Sequence, residues 1–457
     1  MLDKYTYGYD NNSNRTYRKN LSTTGLDELY GYDNLNRLTS LQRGTLSADH
    51  SSISSQLNAE GFGPDFLGNM SSYTVSTGVS LLLNQSRTVN PINEITGIST
   101  GYGTAWATPS YDANGNMTVM PRPGNESSSL TVIYDAWNRQ VSVTDSTGAT
   151  SKYVFDGLNH RVAKAVPNGS NWMRTDFYYN QSWQTVEERQ YTTAQSSSTT
   201  VASSAYCVYI WDLRYIDAPV CRLRSTAHNG TLDETLYYCN DANFHTTAVV
   251  SLTGAVVERY SNDAYGKPTF YDGAWNRING SAYDNQILIC GYRYDPETGL
   301  YHVRIRMYNP AFGIWTSCDP LGYIFGMNIY QYVQCNPNTW TDPMGLQAQP
   351  LPSQPSTNPT SPYPRIAPGT EPGVGPEVGP GKIDIPGKPG LAALAAWYAW
   401  ELLFGRGGLL SGSEIEPETI PNAPPVTDCK TRQRFCTNLR YSADAEDCNP
   451  RCGDKTS

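Results

Sequence analysis

Residues 131–166 read T-V-I-Y-D-A-W-N-R-Q-V-S-V-T-D-S-T-G-A-T-S-K-Y-V-F-D-G-L-N-H-R-V-A-K-A-V. Runs of five to seven residues rich in Val, Tyr and Phe alternate with Asp, Asn and Gly. That alternation is the pattern of short strands joined by tight turns. Asp and Asn suit such turns because their side chains bond their own backbone and tolerate left-handed φ. One unit is therefore about one hairpin.

The unit recurs. Asn followed by a long side chain stands at Asn14, Asn36, Asn69, Asn93, Asn116, Asn138 and Asn159, at intervals of 21 to 24 residues with one of 33. Tyr-Asp precedes several of these points (Tyr9-Asp10, Tyr32-Asp33, Tyr111-Asp112, Tyr134-Asp135), and Phe155-Asp156 plays the same part. Fixed-period repetition means stacked supersecondary units. A lone hairpin cannot bury its apolar face, so the units are expected to add edge to edge into one long sheet. At Asp-x-x-Asn-Arg, turn chemistry and contact with a ligand or sugar are the two readings, and even spacing along the chain argues against a localised site. Between Thr45 and Asn90 the pattern weakens, and loops with short strands are expected. Further strands are expected at Thr175–Tyr179, Thr185–Thr192, Tyr206–Tyr215, Thr235–Cys239 and Ala248–Arg259.

Composition agrees with a β-rich chain. Tyr numbers 33 against 10 each of Phe and Trp, Gly 39 and Pro 30 supply turns, and charged residues are only 16%. Tyr fits strands with one buried face. A net charge of −9 without basic runs makes nucleic acid a poor partner for the body of the chain. No cofactor or metal motif is present. The N-terminus M-L-D-K-Y-T-Y-G-Y-D lacks the apolar stretch of a signal peptide and starts inside a repeat, which is the expectation for a fragment of a longer protein.

From Gly291 the repeats give way to a dense stretch, G-Y-R-Y-D-P-E-T-G-L-Y-H-V-R-I-R-M-Y-N-P-A-F-G-I-W-T-S-C-D-P-L-G-Y, then N-I-Y-Q-Y-V-Q-C-N-P-N-T-W-T and D-P-M-G-L ending at Leu346. Residues 347–390 form a Pro-rich linker of extended character. Residues 391–457 form a small tail in which Leu391–Phe404 is a helix candidate, too short to span a bilayer. Cys429, Cys436, Cys448 and Cys452 crowd the end of the tail, where disulfides, free thiols and, less readily, a metal are the options. Six other cysteines are scattered through the body, where a free buried thiol is the expectation.

The Tyr-Asp repeats together with Y-D-P-E-T-G-L-Y, R-x-R-x-Y-N-P-x-x-G, C-D-P-L-G, N-x-Y-Q-Y and D-P-M-G-L resemble the RHS/YD-repeat family, over about residues 5–346. Residues 287–346 resemble its RHS repeat-associated core domain, following a repeat body at 1–286. The resemblance implies a mainly β fold, in which an antiparallel sheet strip curls into a cocoon-like shell, here short and hence partial. It implies a shell that encloses a variable C-terminal toxin or effector and releases it by self-cleavage after the last D-P-x-G-L. The implied partners are the chain's own C-terminal segment as substrate and cargo, an immunity protein and secretion machinery, and the implied location is secreted or cell-surface. Two Asp-Pro-x-Gly turns bring two carboxylates into play, and a close carboxylate pair supplies one acid and one base. The resemblance implies Asp319 and Asp342 as that pair, Arg306 as the cation beside them, and Leu346–Gln347 as the bond cut. Asp-Pro-x-Gly is also an ordinary β-turn formula. Arg306, sharing a strand face with Arg304, has the alternative of pairing with a shell carboxylate, and His302 reads as a strand residue. The rival to a self-cleaving shell is a non-catalytic surface or wall-associated repeat protein that binds carbohydrate or neighbouring cells through Tyr- and Trp-rich strands. The tail carries no nuclease or deaminase motif.

Overall fold

A computed structural model describes residues 2–213 and 215–351. The linker beyond Leu351, the helix candidate Leu391–Phe404 and the four tail cysteines lie outside the described residues.

The fold is almost entirely antiparallel sheet. Two meanders dominate, one of eight strands from Tyr5–Tyr9 to Ile95–Tyr102 and one of fifteen from Ser110–Tyr111 to Arg277–Ile278. In both, each strand pairs with its neighbours in sequence. The expected single sheet is thus two. The break falls at 103–109, where Gly103 turns left-handed (φ 93°) and Pro109 has no N–H to give a ladder. The loops expected between Thr45 and Asn90 are instead long strands, Ile53–Pro64, Met70–Thr77 and Ser80–Val89. Their inner face carries Glu60, Gln85 and Arg87 beside Phe62, Tyr73 and Leu83, and these buried polar residues hide the alternation. Ala248–Arg259, read as one strand, is a hairpin of Thr246–Ser251 and Val256–Asn262 that turns at Gly254.

The turns explain the repeat. At Asp135, Oδ1 accepts the N–H groups of Trp137 (2.9 Å) and Arg139 (3.1 Å), and Oδ2 takes Arg139 Nε (2.8 Å). Asn138 between them is left-handed, φ 60°. The same scheme recurs at Asp10, Asp33, Asp65, Asn90, Asp112 and Asp156. The Tyr before the capping Asp or Asn ties three of these turns to the one before: Tyr32 Oη donates to Arg15 O (2.8 Å), Tyr134 to Met117 O (3.0 Å) and Tyr179 to Arg161 O (2.9 Å). Side-chain amides join neighbouring turns at Asn14–Asn36 (2.8 Å), Asn69–Asn93 (2.9 Å) and Asn116–Asn138 (2.8 Å).

The dense stretch fills the space between the meanders. Arg293–Asp295, Leu300–Val303, Arg306–Asn309 and Ile314–Trp315 make a four-stranded sheet of their own. Tyr301, Val303, Tyr308, Trp315 and Tyr332 share one apolar cluster with Leu38, Leu41 and Phe62 of the first meander and Val249, Tyr260 and Phe270 of the second. Leu300, Met307 and Phe312 share another with Met117, Leu130 and Val143. Residues 327–338 then run along the linked turns: Asn93 donates to Met327 O (3.0 Å), Asn328 to Asn69 (2.8 Å), Tyr330 to Gly115 O (2.8 Å) and Asn336 to Asn14 (3.0 Å).

Buried charges pin this filling. Asp295 receives Arg161 (2.5 Å) and Lys164 (3.1 Å), and Arg293 pairs with Glu188 (2.6 Å). Burial works to raise the Asp295 carboxyl, and the two cations overcome it and hold it low. Removing one partner of such a pair costs about 3–5 kcal/mol, because the other charge stays buried. The two meanders meet through Arg18, which bridges Glu28 and Asp241 at 2.9 Å each. They meet again at Glu60, whose Oε2 accepts the N–H of Ala264 at 3.1 Å.

Beside Ala264, Asp263 is pushed up to about 7 by burial and then by the Glu60 charge, against Lys267 and Arg43. A carboxyl raised in the folded state favours the protonated form there, so its contribution to stability is complete below pH 4 and is lost as pH rises through 7. The chain is expected to resist urea better at pH 5 than at pH 8 through this group. Asp263→Asn, which keeps the Oδ1 acceptor of its turn, should raise the urea midpoint at pH 8 and flatten the trend. An unchanged pH trend in this variant would assign the effect elsewhere.

Candidate functional site

The strands Leu300–Val303 and Arg306–Asn309 are joined by a tight turn at Arg304-Ile305. The turn Asp342-Pro343-Met344-Gly345 docks on it, with Ile305 N–H donating to Met344 O (3.2 Å) and Gly345 N–H closing the turn on Asp342 O (3.2 Å). Gly345 is left-handed, φ 68°, and a Cβ there would lie 2.7 Å from Val303 O and 3.1 Å from Arg306 N. Only glycine seats the turn this closely.

This docking brings the three candidate residues together. Arg306 Nη2 lies 3.0 Å from Asp319 Oδ2 and 3.6 Å from Asp342 Oδ2. Its Nε donates to Gly345 O, its Nη1 to Ile329 O (3.3 Å), and its guanidinium lies over the Trp315 ring, 4.3 Å from the centroid. Arg306 is therefore held by a ring against one face and by carbonyls at its rim. Burial lowers its pKa, while Asp319 and Asp342 act the other way.

The two aspartates are built alike but placed differently. Asp319 is half-buried in its own Asp-Pro-x-Gly turn, with Oδ1 accepting Leu321 N–H (2.8 Å). Asp342 is buried, with its N–H donating to Tyr292 Oη (2.9 Å). Asp342 Oδ1 accepts the N–H groups of Leu346 (2.9 Å) and Gln347 (3.1 Å). Both carboxyls are raised above the usual range by burial, with Arg306 opposing. For Asp342 the N–H groups of Leu346 and Gln347 also oppose, and the charge of Asp319 adds to the rise. Two carboxyls on one guanidinium, each drawn toward its protonated form, are suited to proton transfer. The peptide Leu346–Gln347 runs from a half-buried residue to an exposed one, and Gln349–Pro350 then pairs back on Trp340–Thr341.

Other expectations come out differently. Arg304 does not share a strand with Arg306: it sits in the turn at φ 46° and pairs with Asp217 of the second meander at 2.5 Å. The shell-carboxylate alternative thus describes Arg304, and Arg306 instead meets the two turn aspartates. His302 is a strand residue, held well below the usual range by burial, with Arg161 adding to that. Of the body cysteines, Cys207, Cys221, Cys290 and Cys335 are buried and free, while Cys239 and Cys318 are free and half-buried. Sequence reading missed Tyr292, Thr341, Trp315 and Asp217, since their partners are remote in sequence.

No family model matches the chain. The chain is 29% identical over 290 residues to the tRNA3(Ser)-specific nuclease WapA of Bacillus spizizenii, covering 62% of this chain and 10% of that protein. It is 46% identical over 63 residues to the probable deoxyribonuclease RhsB of Dickeya dadantii, covering 14% of this chain and 4% of that one. The crystal structure of TcdB2–TccC3–Cdc42 superposes with a TM-score of 0.57 at 20% identity, covering 76% of this chain and 17% of that one, a likeness of fold. The relatives of this chain are RHS and toxin proteins. The chain spans a tenth or less of the length of the first two relatives.

Gly345→Ala is expected to unseat the 342–345 turn, read as faster amide hydrogen exchange at Ile305 and residue 345 than in the unsubstituted chain. Unchanged protection at both amides would mean that the turn accommodates a Cβ.

Proposed function

We propose that the chain is an RHS-type shell protein that cuts itself between Leu346 and Gln347 and so frees the segment that follows. In this reading residues 1–286 are shell wall and residues 287–346 are its filling and cutter. Residues 347–390 are the linker, and 391–457 belong to the carried, toxin-related segment. The protein works as a secreted or surface protein, with its own C-terminal segment as cis substrate.

One observation carries the reading. Asp342 Oδ1 lies 3.1 Å from the nitrogen of Gln347, the atom that must leave when this bond breaks. The other oxygen of the same carboxyl faces Arg306, which also holds Asp319. Asp319 acts as the base that takes a proton from water as the water oxygen attacks the Leu346 carbonyl carbon. Arg306 steadies the charge that shifts onto the carboxyls. Asp342, protonated, gives its proton to the Gln347 nitrogen as the C–N bond breaks. The products are a Leu346 carboxylate and a Gln347 amine. The substrate is held in place by the fold, which supplies proximity without a site for free peptide.

Expression of the full chain should yield a body and a tail fragment whose first residue is Gln347, as read by gel and mass spectrometry. Asp319→Asn and Asp342→Asn should slow the cut by roughly 100-fold or more and leave a full-length band. Because the pair needs one proton, cutting should fail at alkaline pH, above the raised values of both carboxyls. An intact band for the folded, unsubstituted chain would favour the non-catalytic surface protein.

A further inference from the structure

Arg304 is the second guanidinium at this corner, and the hydrolysis does not use it. Its Nη1 donates to Pro343 O and to Asp217 Oδ2 (2.9 Å), and its Nη2 meets Asp217 Oδ1 at 2.5 Å. This is a two-point pair with both side chains nearly out of solvent, at 10% and 6% exposure. Such a fork fixes angle as well as distance. Asp217 belongs to the segment between strands Cys207–Trp211 and Pro219–Arg224, 87 residues away from Arg304.

The same segment reaches the other side of Asp342. Tyr215 Oη lies 3.2 Å from Thr341 Oγ1, and Thr341 Oγ1 lies 3.0 Å from Tyr292 Oη, which accepts the Asp342 N–H. Gly291 packs so closely that a Cβ there would meet the Asp217 carbonyl oxygen. The wall segment therefore touches the residue before Asp342 through Tyr215 and the residue after it through Arg304.

We infer that Asp217 and Arg304 are positioning residues that set Asp342 against Arg306, so that the cut depends on the wall segment having closed on the 342–345 turn. This rests on the self-cleavage proposed above. A chain whose wall has not folded holds Asp342 on a loose turn, and a misplacement of about 1 Å can cost roughly 100-fold in rate. The clamp thus delays release of the following segment until the wall has folded.

The test is a pulse of cell-free synthesis of the full chain, followed by gel quantification of cut product over time. Asp217→Asn and Arg304→Met should slow cutting roughly 10- to 100-fold. Arg304→Lys, which keeps a charge and a donor, should recover a large part of the rate lost in Arg304→Met. Each substitution is also placed in the Asp342→Asn chain, where Arg304→Lys and Arg304→Met should melt at similar temperatures while differing in cutting rate in the parent chain. If Arg304→Met cuts at full speed while Asp342→Asn does not, the clamp is wrong and self-cleavage stands. A Lys variant that cuts no faster than the Met variant, with rate falling in step with melting temperature, reduces the pair to a fold contact and overturns the inference. An uncut unsubstituted chain overturns both.

Discussion

Two hairpin meanders have inner faces that neither can cover alone, and burying both is the constraint on which the rest of this structure depends. Side chains of the two meet directly in places, as Phe62 and Tyr265 do edge-on at 5.2 Å, and a third layer covers the rest. Gly291–Tyr332 supplies it, with Tyr308 and Trp315 fully buried among residues of both meanders. Aromatic side chains bring large apolar area and contact one another edge-on, as Trp315 and Tyr332 do at 5.5 Å. The charges on the same segment do a different job. Apolar contact tolerates sliding, whereas Asp295 on Arg161 and Lys164 has one register. Such pairs contribute little net stability compared with apolar substitutes, and specifying where the filling sits is the role this geometry fits.

The repeats owe their regularity to a local demand. Each hairpin end of the repeat carries a residue at positive φ and a carboxylate or amide that takes up the N–H groups left bare beside it. Bulky residues meet that demand too: Trp183, Phe244 and Trp275 are left-handed where Asn or Gly would be easier. The backbone bonds around the turn therefore outweigh the strain of a left-handed bulky residue. Asn also fills two different places in these turns. Asn36, Asn93 and Asn138 are the left-handed residues of their turns, while Asn14, Asn69 and Asn116 follow one, and the two kinds hydrogen-bond in pairs.

What was legible in the sequence follows from range. Turn chemistry acts over four residues and shows directly, so the β class and the hairpin unit were readable from Asp135 to Arg139. The division into two meanders was not, because it rests on Pro109 and Gly103 in a stretch with no pattern of its own. The strands between Thr45 and Asn90 were missed because Glu60, Gln85 and Arg87 face inward, and only the other sheet explains why: Glu60 caps the backbone of Ala264. At the site, Asp319, Asp342 and Arg306 stood out through turn formula and family resemblance. Arg304 looked like a companion of Arg306 on one strand face, and its left-handed turn position gave no sign in the sequence.

The site also explains how an intact peptide can rest against the groups proposed to cut it. With Asp342 ionised, Oδ1 is an acceptor for the N–H of Gln347, a ground-state bond that holds the peptide still. Only the protonated carboxyl can act on that nitrogen as a donor. Burial and the Asp319 charge favour the proton, while Arg306 and the N–H groups of Leu346 and Gln347 favour the anion. The same atoms that grip the bond therefore oppose the state that breaks it. Less burial would shift Asp342 toward its ionised, clamping form, and loss of Arg306 would shift it further toward the protonated form and leave Asp319 without its cation. The proposed chemistry thus needs Asp342 buried and Arg306 within reach of both carboxyls, which is what docking the 342–345 turn on the Arg304 corner provides.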